Sequence, residues 1–193
     1  MNTTEAETDG LDRLRGRLAD TAAKEGLLDV SYTLLDSPVG PLLLAATDQG
    51  LVRVAYEIQD HDDVLDSLAQ TVGPRVLRAP RQLDETARQL DDYFNGTRRS
   101  FDLRLDLRLT RGFRRHVQEH LTAIEYGHTQ SYGDVARALG NAKAVRAVGT
   151  ACATNPLPIV LPCHRVLRAD GSLGGYIGGL AAKDTLLTFE IRA

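Results

Sequence analysis

The sequence predicts a mixed α/β (α+β) chain: an antiparallel sheet with helices first, then a mostly helical region carrying a helix-turn-helix. Three observations support this. Residues 30–57, "VSYTLLDSPVGPLLLAATDQGLVRVAYE", hold three β-rich runs separated by the turn signals Asp-Ser-Pro-Val-Gly-Pro and Asp-Gln-Gly. After residue 110, apolar residues recur at helical spacing. Charge divides at the same place. Residues 1–110 carry 13 Lys/Arg against 20 Asp/Glu, a balance of −7, while 111–193 carry 10 against 6, a balance of +4. The expected parts are an extension over 1–29, a first domain over 30–109 and a second over 110–193.

The elements follow in order. In residues 9–24, Leu11, Leu14 and Leu18 stand at helical spacing behind Asp9 as a cap, which predicts a short amphipathic helix. An antiparallel meander fills 30–57. Helices are expected near 61–72 and over "RQLDETARQLDDYFNG", where Leu83, Ala87, Leu90 and Phe94 share a stripe and Gly96 is the stop. "SFDLRLDL" alternates and reads as one more strand. Phe113, Val117, Leu121 and Ile124 define a core-facing helix ending at Gly127. His116 and His120 stand four apart on it, but no second ligand pair accompanies them, so they read as surface or packing residues. "SYGDVARALGNAKAVRAVGTACATNP" gives two short helices. Ser131 and Asp134 approximate a capping box, Gly140 ends the first helix, and Asn141 caps the second. The tail is a closing helix with Leu180, Leu186, Leu187 and Ile191 on or near its inner face.

Composition excludes several classes. No apolar run approaches the roughly 18 residues a membrane span needs. The acidic, polar start "MNTTEAETDG" lacks the pattern of a secretory signal. Two cysteines without Cys-x-x-Cys spacing exclude a disulfide framework and a four-cysteine zinc site. A cytoplasmic protein with free thiols is expected. The basic second half permits a polyanionic partner despite a net charge of −3.

Chemistry concentrates in "PIVLPCHRVLRADGSLGGY", residues 158–176. Cys163 follows an apolar run and precedes His164 and Arg165, and neighbouring cations favour a thiolate. A packed core cysteine beside surface charges is the bland alternative. Upstream, Ala142, Ala144, Ala147, Gly149, Ala151 and Ala153 leave the second short helix almost bare, with Arg146 projecting from its middle. Such a helix packs closely against a neighbour or lets its backbone approach a nucleic acid. The basic surroundings and the helix-turn-helix favour the second use.

These residues carry a family resemblance. "SYGDVA", "KAVRAVGTACATNPLPIVLPCHRV", "GGYIGGLAAK" and "LLTFE" resemble the O6-alkylguanine-DNA alkyltransferase family, in which a protein cysteine accepts the alkyl group of a damaged guanine. The likeness covers about 110–190 almost without gaps, and Asn-Pro followed by Pro-Cys-His-Arg-Val is highly specific. Residues 30–105 agree only in layout with the family's RNase H-like N-terminal domain, and 1–29 have no counterpart.

The resemblance implies roles for particular positions. Cys163 would be the acceptor, His164 its base through an ordered water, and Glu190 the carboxylate that orients the imidazole. Tyr132 would donate a proton to the departing guanine. Asn155 would tie the turn between recognition helix and active-site strand. Val166, Tyr176 and Ile177 would line the guanine pocket, with Gly174, Gly175, Gly178 and Gly179 in its loop. Arg146 would enter the base stack in place of a flipped nucleotide, because a stacked base cannot meet a buried thiol. Ser131, Lys143, Ala144, Ala147, Thr150 and Ala151 would meet double-stranded DNA in the minor groove, mostly at phosphate and sugar.

The implied activity is irreversible transfer from O6-alkylguanine, and less well from O4-alkylthymine, to Cys163. It needs no cofactor or metal, since residues 1–110 lack the cysteines that bind zinc in some relatives. A monomer is expected, with cooperative binding on DNA open. Ile177 departs from the pattern and implies a narrower pocket. Cys152, often apolar in relatives, reads as a packing residue. Three other readings compete with this one: an alkylation-sensing regulator, a non-catalytic binder of alkylated bases, and a cysteine hydrolase. The first normally carries an extra domain, the second replaces the acceptor cysteine, and the third leaves the helix-turn-helix unexplained.

Overall fold

A four-stranded sheet in the order β3-β2-β1-β4 organises the first half of the computed structural model, which describes residue 14 and residues 16–192. β1 (Val30–Leu35), β2 (Leu42–Thr47) and β3 (Gly50–Tyr56) form the expected antiparallel meander. β4 (Val76–Arg78) adds in parallel to β1 and has no sequence forecast, being three residues without a full alternation. Helix α1 runs over 16–24, but Leu14 and Leu18 are exposed and Ala19 is the buried residue, so the leucine stripe does not face the core. Asp9 and Leu11 lie outside the described residues.

Helices α2 (His61–Thr71) and α3 (Asp84–Phe94) stand where the periodicity places them. Asp60 caps α2 by accepting from the backbone N–H groups of Asp62 and Asp63, and Gly96 takes a left-handed φ of 74° after α3. The anticipated strand in 100–107 is only a bridge: Leu51 donates to Arg104 O and accepts from Asp106 N, both at 2.8 Å. Phe101, Leu103, Leu105 and Leu107 still pack inward. Alternation reports which side faces the core, not whether a neighbour continues the ladder.

The second half contains α4 (Gly112–Leu121), α5 (Tyr132–Ala138), α6 (Val145–Ala153) and α7 (Gly179–Arg192), with a short parallel pair β5 (Gln130–Ser131) and β6 (Val166–Leu167). The Ser131–Asp134 capping box closes reciprocally at the start of α5, and Gly140 ends that helix at φ 73°. Asn141 does not cap α6. It begins a turn through residue 144, and α6 starts at Val145 without a side-chain cap. On α7, Leu180 and Ile191 point to solvent, at 55% and 75% exposure, while Ala182, Lys183, Leu186 and Glu190 face inward.

One face of the sheet packs with α2 through Val30, Leu43, Ala45, Val52, Ala55, Val64 and Leu68. The other packs on the helical half in a continuous core that runs from Leu42, Leu44 and Val54 to Val117, Leu121, Leu161, Cys163 and Leu186. Among the described residues no helix is long and apolar enough to cross a membrane.

Candidate active site

Cys163 opens a 3-10 turn, Cys163–Arg165, rather than continuing an extended strand. The loop that delivers it leaves α6 at Asn155 and is fixed by that buried side chain. Asn155 Nδ2 donates to Leu161 O at 2.7 Å and to Cys163 Sγ at 3.1 Å, while its Oδ1 accepts from Leu157 N at 3.0 Å. Pro156 O accepts from Val54 N at 2.8 Å, which ties the loop to β3. Within the loop Ile159 holds φ 73°, an unfavourable conformation for a β-branched residue that needs such anchoring.

His164 is fully buried and its Nε2 lies 2.8 Å from Glu190 Oε1, while its Nδ1 is buried with no partner among the described residues. Glu190 gathers more groups than the sequence suggests. Its carboxylate also accepts from Arg165 Nε and Nη2 at 2.9 Å, from the Tyr93 hydroxyl at 2.7 Å, and from Gly127 N at 3.2 Å. Arg165 Nη1 donates onward to Ile124 O at 2.6 Å. The network thus joins α3, the turn after α4, the cysteine turn and α7.

The charges follow from this packing. Burial pushes the Glu190 carboxyl up, but bonds and charges from His164 and Arg165 outweigh it and hold the group at about 2. Burial lowers His164 in spite of Glu190, so its imidazole rests neutral. Burial pushes Cys163 up to about 11, against the opposing Asn155 bond and Lys183 charge. This reverses the thiolate expected from the adjacent cations: Arg165 points away to Glu190, and the resting thiol is protonated. Lys183, fully buried, donates to Val166 O at 2.6 Å.

The residues expected to line a guanine pocket pack against the core cluster that includes Cys163. Tyr132, at the start of α5, packs its hydroxyl against Gly174, and burial keeps the phenol protonated. The Tyr176 ring stands edge-on to His164 with centroids 6.4 Å apart. Ile177 is half-buried, and Val166 is fully buried with its carbonyl already bonded by Lys183.

On α6 and the turn before it, Arg146, Lys143, Ala147 and Thr150 are exposed and Ala144 is half-buried. Ala151 is not on that surface. It is fully buried, and its carbonyl accepts from Gln118 Nε2 at 3.0 Å. Ser131 is half-buried and its hydroxyl serves the capping box. Cys152 also faces inward, at 4% exposure, with its thiol raised by burial.

Comparison with known proteins bears on this arrangement. Residues 112–192 match the family model for the DNA binding domain of 6-O-methylguanine DNA methyltransferase, and 30–107 match its ribonuclease-like domain. The chain belongs to this family. The methylated-DNA--protein-cysteine methyltransferase of Methanosarcina acetivorans is 40% identical over 160 residues, covering 82% of this chain and 97% of that protein. That of Mycobacterium leprae is 43% identical over 159 residues, covering 81% and 89%. The crystal structure of Mycobacterium tuberculosis OGT in complex with DNA is similar with a TM-score of 0.72 at 36% identity, covering 84% of this chain and 93% of that one. The family is one of DNA-repair methyltransferases, and the α/β fold with an N-terminal sheet and a C-terminal helical part is the family's fold.

Tyr93, Lys183 and Tyr56 escaped the sequence reading of the site, and Arg165 was read as a cation beside the thiol rather than as the partner of Glu190. Those first three lie on helix or strand stripes that read as ordinary core or surface.

Proposed function

We propose that this chain repairs double-stranded DNA by moving the alkyl group of O6-alkylguanine onto its own Cys163, once per molecule. The observation that supports it best is the Cys163 thiol, held by Asn155 Nδ2 at 3.1 Å and followed directly by a buried His164 whose Nε2 lies 2.8 Å from Glu190 Oε1. A water between Sγ and the unpartnered Nδ1 of His164 would carry the proton. As Sγ attacks the alkyl carbon, the S–C bond forms and the C–O6 bond breaks. The bonding pair goes to the guanine, and the thiol proton passes to His164. The Tyr132 phenol protonates the departing base, and the imidazolium proton restores the phenol through solvent. One proton therefore moves from thiol to guanine overall. Glu190 stabilises the transient imidazolium.

The alkyl carbon of a stacked base cannot reach a buried Sγ, so the nucleotide is extruded and Arg146 takes its place in the stack, with α6 in the minor groove. The flipped purine lies against Tyr132, Tyr176 and Ile177, near Val166. Ser131, Lys143, Ala144, Ala147 and Thr150 supply the backbone-facing surface. O4-alkylthymine is accepted less well. The protein acts as a monomer without cofactor or metal, with 110–193 as the DNA-binding and acceptor domain and 30–109 as its support.

Intact-mass measurement after incubation with an O6-methylguanine duplex tests the reading. A gain of about 14 Da on the Cys163 peptide is expected, as required by thiolate nucleophile chemistry. Methyl on Cys152, or on neither cysteine, overturns it. Cys163→Ser should abolish transfer and leave DNA affinity largely intact.

A further inference from the structure

The loop read as the guanine-pocket wall is held from the opposite half of the molecule. Tyr56 ends β3, and its backbone N–H donates to Gln59 Oε1 at 3.1 Å, which fixes the residue at the strand terminus. Its side chain is 2% exposed. The Tyr56 hydroxyl lies 2.8 Å from that of Tyr176, and the two rings meet edge to face, with centroids 5.7 Å apart at 70°. Two residues on, a β-carbon at Gly178 would stand 2.7 Å from three atoms of the same ring. Gly178 does not hold a left-handed φ, so the Tyr56 ring is what excludes a side chain there. One ring therefore contacts the loop on both sides of Ile177. Both phenols are raised by burial, so both stay protonated and one donates to the other.

We propose that Tyr56 is a positioning residue for the alkylated base: it presets the Tyr176–Gly178 wall from the N-terminal sheet and so sets how tightly the purine is held. The proposal rests on reading Tyr176 and Ile177 as that wall. A wall ordered before the base arrives avoids the cost of ordering it on binding. Tyr56 reaches neither Sγ nor the relay by any hydrogen bond, so its influence should fall on binding rather than on the chemical step.

Single-turnover transfer from free O6-benzylguanine at several concentrations separates a saturation constant from a limiting rate. Tyr56→Phe should raise the saturation constant about fivefold, the equivalent of one net hydrogen bond. The limiting rate should stay within about twofold, since binding-only losses leave the chemical step untouched. Tyr176→Phe should raise the saturation constant as well, and in the double variant that constant should be no worse than in either single one. Gly178→Ala should raise the constant further, and adding Tyr56→Ala should recover part of that loss.

An unchanged saturation constant in Tyr56→Phe, additive losses in the double variant, or no rescue of Gly178→Ala would each overturn the proposal. Thermal unfolding of each variant checks the fold, and rescue of Gly178→Ala by Tyr56→Ala carries the test if Tyr56→Phe is unstable. Absence of transfer by the unmodified chain would overturn the pocket reading together with this one. Normal transfer with an unchanged constant overturns the role of Tyr56 alone.

Discussion

Asn155 donates a hydrogen bond to Cys163 Sγ at 3.1 Å with the same amide nitrogen that holds Leu161 O at 2.7 Å. Loop geometry and thiol chemistry therefore share one side chain. Asn155→Ala would leave Leu157 N unpaired in a buried setting and Leu161 O with its bond from Cys163 N at 2.8 Å, at a cost of about 1–3 kcal/mol. It would also remove one of the groups that opposes the rise of the thiol pKa, moving it further up. Denaturant unfolding should show the stability loss, and the pH dependence of iodoacetamide labelling at Cys163 should shift upward. Wild-type stability with an unshifted labelling curve would deny Asn155 both roles.

Stability should peak over a window set by three buried groups. Glu190 is held at about 2 against an ordinary 4.5, so it contributes above 4.5 and the contribution is lost as pH falls toward 2. The loss is on the order of 3 kcal/mol, at 1.36 kcal/mol per pKa unit. His164 is lowered below 6.5, so the unfolded chain binds its proton first and stability declines as pH falls below that value. Cys163 is raised from 9.0 to about 11, so its contribution is complete below 9 and lost as pH rises through 11. Urea midpoints should be flat between about pH 6.5 and 9 and fall on both sides. In Glu190→Gln the acid limb below 4.5 should flatten.

The rate of alkyl transfer should have a different profile from that of an independent thiolate. A thiol ionising at about 11 without a base would react about tenfold faster per pH unit up to that value. Transfer of its proton to neutral His164 instead predicts a rate that levels off once the imidazole is neutral, between pH 7 and 9. Single-turnover rates against pH decide between them. A steady tenfold climb through pH 9 would remove His164 from the mechanism.

The sequence made the helices and the meander legible because both rest on periodic burial, as with Val117 and Leu121 on α4 or Leu42 and Leu44 on β2. Cys163, His164 and Asn155 were legible because they adjoin one another in a specific motif. The support around them was not. Tyr93 is 97 residues from Glu190, and Tyr56 is 120 from Tyr176. Only the fold brings these pairs together. Lys183 and Glu190 are buried polar residues on a helix whose exposed Leu180 and Ile191 suggest a different inner face. An apolar stripe locates a core only where the core is apolar, and α7 turns its chemistry inward. The same limit misplaced Ala151, which alanine-rich composition alone cannot assign to a face.

Arg146 is exposed on α6, where its backbone carbonyl accepts from Thr150 Oγ1 at 3.1 Å. Arg146→Ala should damage transfer from duplex DNA far more than transfer from free O6-benzylguanine. The free base arrives unstacked and has no extrusion cost of a few kcal/mol for the arginine to offset. Parallel single-turnover assays on the two substrates measure this. Equal losses would assign Arg146 to the fold, against its exposure.

The division of charge predicts where DNA affinity resides. The +4 balance of 111–193 belongs to the half that carries α6 with its exposed Arg146 and, in the turn before it, Lys143, whereas the −7 of 1–110 includes the acidic start of α2 at Asp62 and Asp63. Binding should weaken with salt as displaced counterions return, with a modest log–log slope corresponding to a few phosphate contacts. Charge reversal at Arg146 or Lys143, both exposed, should reduce that slope. Reversal at Arg81, which pairs with Asp20 at 2.7 Å, or at Arg53, largely enclosed between β3 and α2, should leave it unchanged. Titration of a fluorescent duplex at several salt concentrations reads the slope for each variant. Equal weakening by the N-terminal reversals would mean that the acidic half shares the contact surface. The assignment of Cys163 as acceptor would then stand on its own geometry, because neither the Asn155 bond nor the His164–Glu190 pair depends on where the phosphates lie.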